Sequence, residues 1–119
     1  PELIRRVLAF GGPYSGLMCY SAQEAKFLAG MGFDDFLIAY PTLSPRDLEA
    51  LRSVHESGKI ISLVVDDERH LKVLNDFMKG VTKPFPVLIE PDLSQRFSSL
   101  VIGVRRSSLK TVDDVVKFV

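Results

Sequence analysis

A single cysteine, Cys19, stands among the 119 residues, so no disulfide can close within the chain. Its setting in the apolar stretch Leu17 to Tyr20 suits a reducing cytosol, and with no basic neighbour to lower its pKa it reads as a core residue. Net charge is missing as well: fifteen basic side chains balance fifteen acidic ones. No field therefore draws the chain to nucleic acid or to an anionic membrane, and neither is expected as a partner. No apolar run approaches a membrane span, and no charged leader feeds an apolar core with a cleavage site. A soluble, cytoplasmic protein is the expectation. Phosphate-cradling glycine loops are absent too. There is no Walker loop, and Gly11, Gly12 and Gly16 do not make a dinucleotide fingerprint because no strand precedes them. His55 and His70 have no metal-ligand spacing and sit among charged neighbours on helical stretches, which predicts solvated surface for both and no metal.

What is present is one domain's worth of strong punctuation, with no linker and no low-complexity tract. Pro1 opens a helix with Leu3, Ile4, Val7 and Leu8 on one side, and Gly11, Gly12 and Pro13 stop it. A short strand at Leu17 to Tyr20 leads to Ser21 and Glu24, spaced as a capping box, and to a helix ending near Gly30. A strand at Phe36 to Ala39 closes at Tyr40 and Pro41. Ser44 then reads as the cap of a helix with Pro45 in its first turn, ending near Glu56. The strand Ile60 to Val65 follows, and Asp66 or Asp67 caps a helix whose Leu71, Val73, Leu74, Phe77 and Met78 face inward. Pro84 and Pro86 lead into the strand Val87 to Ile89, where Pro91 removes a ladder donor. Leu100 to Val104 is a second extended piece, and Thr111 with Asp114 caps a last helix.

Strand and helix alternate throughout, and the strands are apolar on both pleat faces. That pattern predicts a parallel sheet with right-handed crossovers. Two architectures satisfy it, an open doubly wound sheet and an eight-fold barrel. Starting and ending on a helix, with no sign of a strand-order reversal, favours an α/β, parallel-stranded slice, about half, of a TIM-type (β/α)8 barrel, with residues 1–119 as a single partial domain. Such a slice leaves one face of apolar strands uncovered, so further sequence or a dimer is expected to cover it.

The densest polar cluster lies between Phe85 and Ser108: Glu90, Asp92, Ser94, Gln95, Arg96, Arg105 and Arg106. Other polar residues, Tyr20, Ser21, Tyr40, Thr42, Asp66 and Asp67, also fall at C-terminal strand ends, the rim on which parallel α/β folds place their chemistry. Caps and turns account for Ser21 and the two aspartates. The paired aspartates of LVVDDER suggest a receiver domain, but they stand at mid-chain with no room after them for the remaining receiver elements. Arg96 serves no visible cap.

The segments GLMCYSAQEAKFLAGMGFDDFLIAYP, LVVDDERHLKVL, IEPDLSQR and GVRRSS together resemble the pyridoxal-phosphate enzymes of the alanine racemase-like barrel (fold type III). Within them, the closest likeness is to the aldolase and deaminase branch related to D-threonine aldolase and D-serine dehydratase. The resemblance implies part of an alanine racemase N-terminal-like barrel, bound to pyridoxal phosphate in a complete homodimeric enzyme that acts on a small amino acid. The Schiff-base lysine is expected upstream of Pro1, so no catalytic residue is expected in this chain. Arg96 matches the family arginine that lies near the cofactor's phenolic oxygen or the substrate carboxylate, and Asp92 matches the aspartate of the same motif, expected to order the loop. Tyr40 and Ser21 are placed on the pocket rim by analogy. Glu90 departs from the racemases, which carry lysine there, and the interval from Asp92 to Arg96 is one residue shorter than theirs. The first difference points to the lyase branch, and the resemblance implies a lyase acting on β-hydroxy amino acids, of D configuration. A racemase of the same fold, a noncatalytic cofactor carrier and a small α/β binding module are the alternatives.

Overall fold

A computed structural model describes residues 1–103 and 107–118. The elements follow as α1 (Glu2–Ala9), β1 (Leu17–Cys19), α2 (Ala22–Gly30), β2 (Phe36–Ile38), α3 (Pro45–Glu56), β3 (Ile61–Val65), α4 (Glu68–Phe77) and β4 (Val87–Ile89). After them come β5 (Gln95–Phe97), β6 (Leu100–Ile102) and α5 (Val112–Phe118). Strands β1 to β4 form a parallel sheet in the order β1-β2-β3-β4, with Leu17 beside Phe36, Phe36 beside Ile61, and Leu63 beside Val87. Each crossover moves one place in the same direction. A doubly wound sheet reverses its order at a switch point; this sheet does not, and the arrangement is that of a barrel wall.

The pleat sorts the strands into two faces. Cys19, Phe36, Ile38, Ile61, Leu63 and Val65 are buried to within 1% of full coverage against the helices. Ala25 and Leu28 of α2 join them, as do Leu48, Leu51 and Val54 of α3. The alternate residues point the other way. Met18 is 74% exposed and Leu88 42%, so this face is apolar and open to solvent, as expected of a barrel slice. Among the described residues no helix is long and apolar enough to cross a membrane.

Local chemistry explains the boundaries. Ser21 Oγ accepts the Glu24 N–H at 3.3 Å, while the Glu24 carboxylate reaches back to the Tyr20 N–H at 2.9 Å, one residue beyond the usual box. Asp67, not Asp66, caps α4 by accepting the Arg69 N–H at 2.8 Å. Thr111 and Asp114 exchange bonds across the start of α5 at 3.1 and 2.9 Å. The expected Ser44 cap does not form. Thr42 takes over instead, accepting the Ser44 N–H and donating to the Asp47 carboxylate, both at 3.1 Å. Strand β4 makes its last ladder bond through the Glu90 N–H to Val65 O at 3.0 Å, and Pro91, with no N–H, ends it. Gly16 is required by space, because a Cβ there would collide with the backbone oxygen of Asp35.

Three expectations need revision. His55 is buried, 3% exposed, with Nε2 3.0 Å from Lys83 O and its ring edge-on to Phe85 at 5.2 Å. It stands seven residues after Leu48 and four after Leu51, on the inward stripe of α3. A carbonyl can only accept, so Nε2 donates that bond, and Nδ1 is buried without a partner among the described residues. His70 is also largely covered, and its Nδ1 lies 3.1 Å from Asp66 Oδ1, at ion-pair distance but without hydrogen-bond alignment. Finally, DLSQR is more than a loop after a strand. Its Gln95–Phe97 portion pairs antiparallel with Leu100–Ile102 in a hairpin outside the main sheet.

Candidate functional site

The open sheet face and the C-terminal strand ends enclose a cavity of about 570 Å³. Its floor is Met18, Leu37, Val64 and Leu88, one side chain from each of the four parallel strands, and its rim carries Tyr20, Tyr40, Glu90 and Leu93. The two tyrosines meet because Cys19 pairs with Ile38, and Ala39 N–H donates to Cys19 O at 3.1 Å, so both rings leave adjacent strand ends. Their centroids are 4.9 Å apart, tilted by 54°. Tyr20 is 73% exposed, an unusual position for so large a ring unless something covers it.

The expected site residues divide. Tyr40 lines the cavity. Ser21 does not; it lies beside Tyr40, Thr42 and Asp47 in a smaller cleft on the outer side of the rim, and its oxygen caps α2. Asp92 accepts the Ser94 N–H at 2.8 Å through Oδ1, and its own N–H donates to Leu109 O at 2.7 Å. Arg96 sits on β5 opposite Val101, exposed, and is not among the residues lining the cavity. Arg105 and Arg106 lie outside the described residues. No lysine of this chain directly follows a strand of the parallel sheet, and none lines the cavity. Lys59, for example, precedes β3 and donates to Phe33 O at 2.8 Å. Among the described residues no group of three His, Cys, Asp or Glu side chains is placed to hold a metal.

Two electrostatic features bear on the rim. Burial, reinforced by the Glu24 carboxylate, pushes the Cys19 thiol up to about 11, so it is held as an unreactive thiol. The Arg69 side chain holds Asp67 down at about 2, helped by the Arg69 N–H. Asp67 is thus occupied by a cap and a cation from its own helix. Sequence reasoning missed the cavity floor, although the signal was present: Met18, Leu37, Val64 and Leu88 are the out-of-phase positions of the strands.

A four-stranded parallel wall in sequential order, with helices on one face and an apolar hollow on the other, is a slice of an α/β barrel of the TIM type. No family model matches the sequence, and no curated protein matches it. Solved structures do. A crystal structure of D-threonine aldolase from Filomicrobium marinum is similar over 98% of this chain, with a TM-score of 0.78 and 25% sequence identity. The present chain spans only 28% of the length of that one. The resemblance to the D-threonine aldolase branch, read from the sequence, is therefore borne out in three dimensions.

Proposed function

We propose that these residues form one side of the active site of a pyridoxal-phosphate-dependent lyase that cleaves or dehydrates a β-hydroxy amino acid of D configuration. The observation that carries the reading is the structural likeness to D-threonine aldolase, in a slice whose hollow face opens at the C-terminal strand ends. The cofactor fits this hollow in part. The apolar floor and the Tyr20–Tyr40 pair suit a planar heteroaromatic ring, whereas among the described residues no cationic side chain lines the cavity to take a phosphate. Phosphate binding and the covalent lysine are accordingly assigned to sequence beyond this chain, as is the homodimeric partner surface. The complete enzyme is assigned to the cytoplasm.

When bound, pyridoxal phosphate supplies an electron sink for bond breaking at the substrate α-carbon. This chain's residues do the rest of the proposed work on their side. Met18, Leu37, Val64 and Leu88 keep water from the floor. Tyr40 borders the ring and offers its hydroxyl. Arg96 presents a planar, permanently charged fork to a carboxylate or phenolate oxygen. Asp92 orders the turn that leads to Arg96, and Ser21 supports the rim from behind, its oxygen capping α2 next to the Tyr20–Tyr40 pair.

The test is acetaldehyde release from D-threonine by the complete protein supplied with pyridoxal phosphate. Cleavage between the α- and β-carbons should yield glycine and acetaldehyde in equal amounts, and Arg96→Ala should lower kcat/KM by about 10²-fold. A complete protein that neither binds the cofactor nor turns over any β-hydroxy amino acid would overturn the proposal.

A further inference from the structure

After β4 the chain leaves the sheet, runs out to the β5–β6 hairpin that carries Arg96, and returns at Ser107–Leu109. An isolated two-stranded hairpin is marginal in water. This one also exposes Phe97, Leu100 and Ile102 at 57–61%. Packing within the described chain therefore does little to set the direction in which the hairpin points, and its tethers must. The outgoing leg is held where Asp92 N–H donates to Leu109 O at 2.7 Å. The returning leg is seated by Leu109, 7% exposed, whose N–H donates to Ser107 Oγ at 3.0 Å. Between them, Ser108 Oγ donates to Asp66 O at 2.6 Å, joining residues 42 apart.

Asp66 follows β3 directly, and Asp92 follows β4 by three residues. The excursion is thus tied to two neighbouring strand ends, once through backbone and once through the Ser108 side chain. We infer that Ser108 is a positioning residue that sets the orientation of the Arg96 hairpin relative to the ends of β3 and β4; its consequence for catalysis rests on the role proposed above for Arg96. Ser108 is itself exposed, so removing its hydroxyl cuts the tether without opening the core. Leu109 would still anchor the returning leg, and the loss should appear as freedom of the hairpin, not as unfolding.

The experiment uses the complete protein with Ser108→Ala and with Ser108→Thr, which keeps a hydroxyl. Without ligand, amide hydrogen exchange of the peptide covering Gln95–Ile102 should quicken about fivefold in Ser108→Ala. Peptides from β1 to β3 should be unchanged, and Ser108→Thr should return the hairpin to its parent rate. D-threonine cleavage gives the second readout. Ser108→Ala should lower kcat/KM about fivefold in the parent, but by less than about twofold in an Arg96→Ala background, because nothing remains there to position. Hairpin exchange that is unaltered in Ser108→Ala overturns the inference, and so do losses that multiply in the double variant. If the parent protein neither binds pyridoxal phosphate nor turns over any β-hydroxy amino acid, the proposed function fails, and the exchange comparison by itself decides whether Ser108 holds the hairpin.

Discussion

Cys19 offers a quantitative test of how this slice is built. Its side chain is 1% exposed on the helix-facing side of β1, and burial with the Glu24 carboxylate raises the thiol from 9.0 to about 11. At pH 8 an ordinary thiol of that starting value is about one-tenth thiolate, whereas one at about 11 is about one-thousandth, so ionisation alone slows alkylation ~100-fold. Steric burial slows it further. Iodoacetamide labelling, read by mass spectrometry at the peptide carrying Cys19, should therefore be at least about 100-fold slower in the native protein than in urea. Linkage supplies an independent check. The folded pKa lies above the unfolded one, so the contribution to stability is full below pH 9 and is lost as pH rises from there towards 11. Two pKa units correspond to ~3 kcal/mol. The stability difference between the parent and Cys19→Ala should change by an amount of that order across this window. Native labelling at close to the denatured rate, or a difference that stays flat between pH 9 and 11, would refute the placement of β1 beneath α2.

The remaining predictions concern the core, one cap and the hairpin. Leu51 is fully buried between α3 and the sheet, and Leu51→Ala should cost about 3 kcal/mol in urea unfolding; a loss below about 1 kcal/mol would mean that the core is not closed there. Asp67, held at about 2 by Arg69, contributes stability that is full above the ordinary carboxylate pKa and lost as pH falls through about 2. The stability gap between the parent and Asp67→Ala should therefore be constant above pH 5 and shrink on acidification; a gap independent of pH down to 2 would contradict it. Gly103 has φ +112, and a Cβ there would lie 2.9 Å from Ser94 Cα. Gly103→Ala should displace the hairpin and quicken its hydrogen exchange while the parallel strands keep their protection, and unaltered hairpin exchange would refute the close approach.

Element type and order were legible along the chain because local signals agree with one another. Gly11 and Gly12, the Ser21 and Glu24 pair, Pro45, and the apolar runs before Tyr40 and Asp66 each set a boundary through backbone chemistry that needs no distant partner. The alternation of strand and helix was enough to require a parallel sheet. The rim could be inferred as well, since C-terminal strand ends share one side of any parallel sheet. What sequence could not supply were the relations between distant segments. Strand order decided between barrel and doubly wound sheet, and it depends on which strands exchange hydrogen bonds, as in the pairing of β3 with β4 across α4. His55 looked like surface because its neighbours in sequence are polar, yet the helical period turns it inward, to the Lys83 carbonyl 28 residues on. Arg96 was found as a residue, but its hairpin and the Ser108 tether to Asp66 arise only when the chain folds back on itself. Composition and local pattern determined the kind of wall this chain builds. Only tertiary contact decided that its hollow face carries two touching tyrosines, and that Arg96 rides on a hairpin tied back to the ends of β3 and β4.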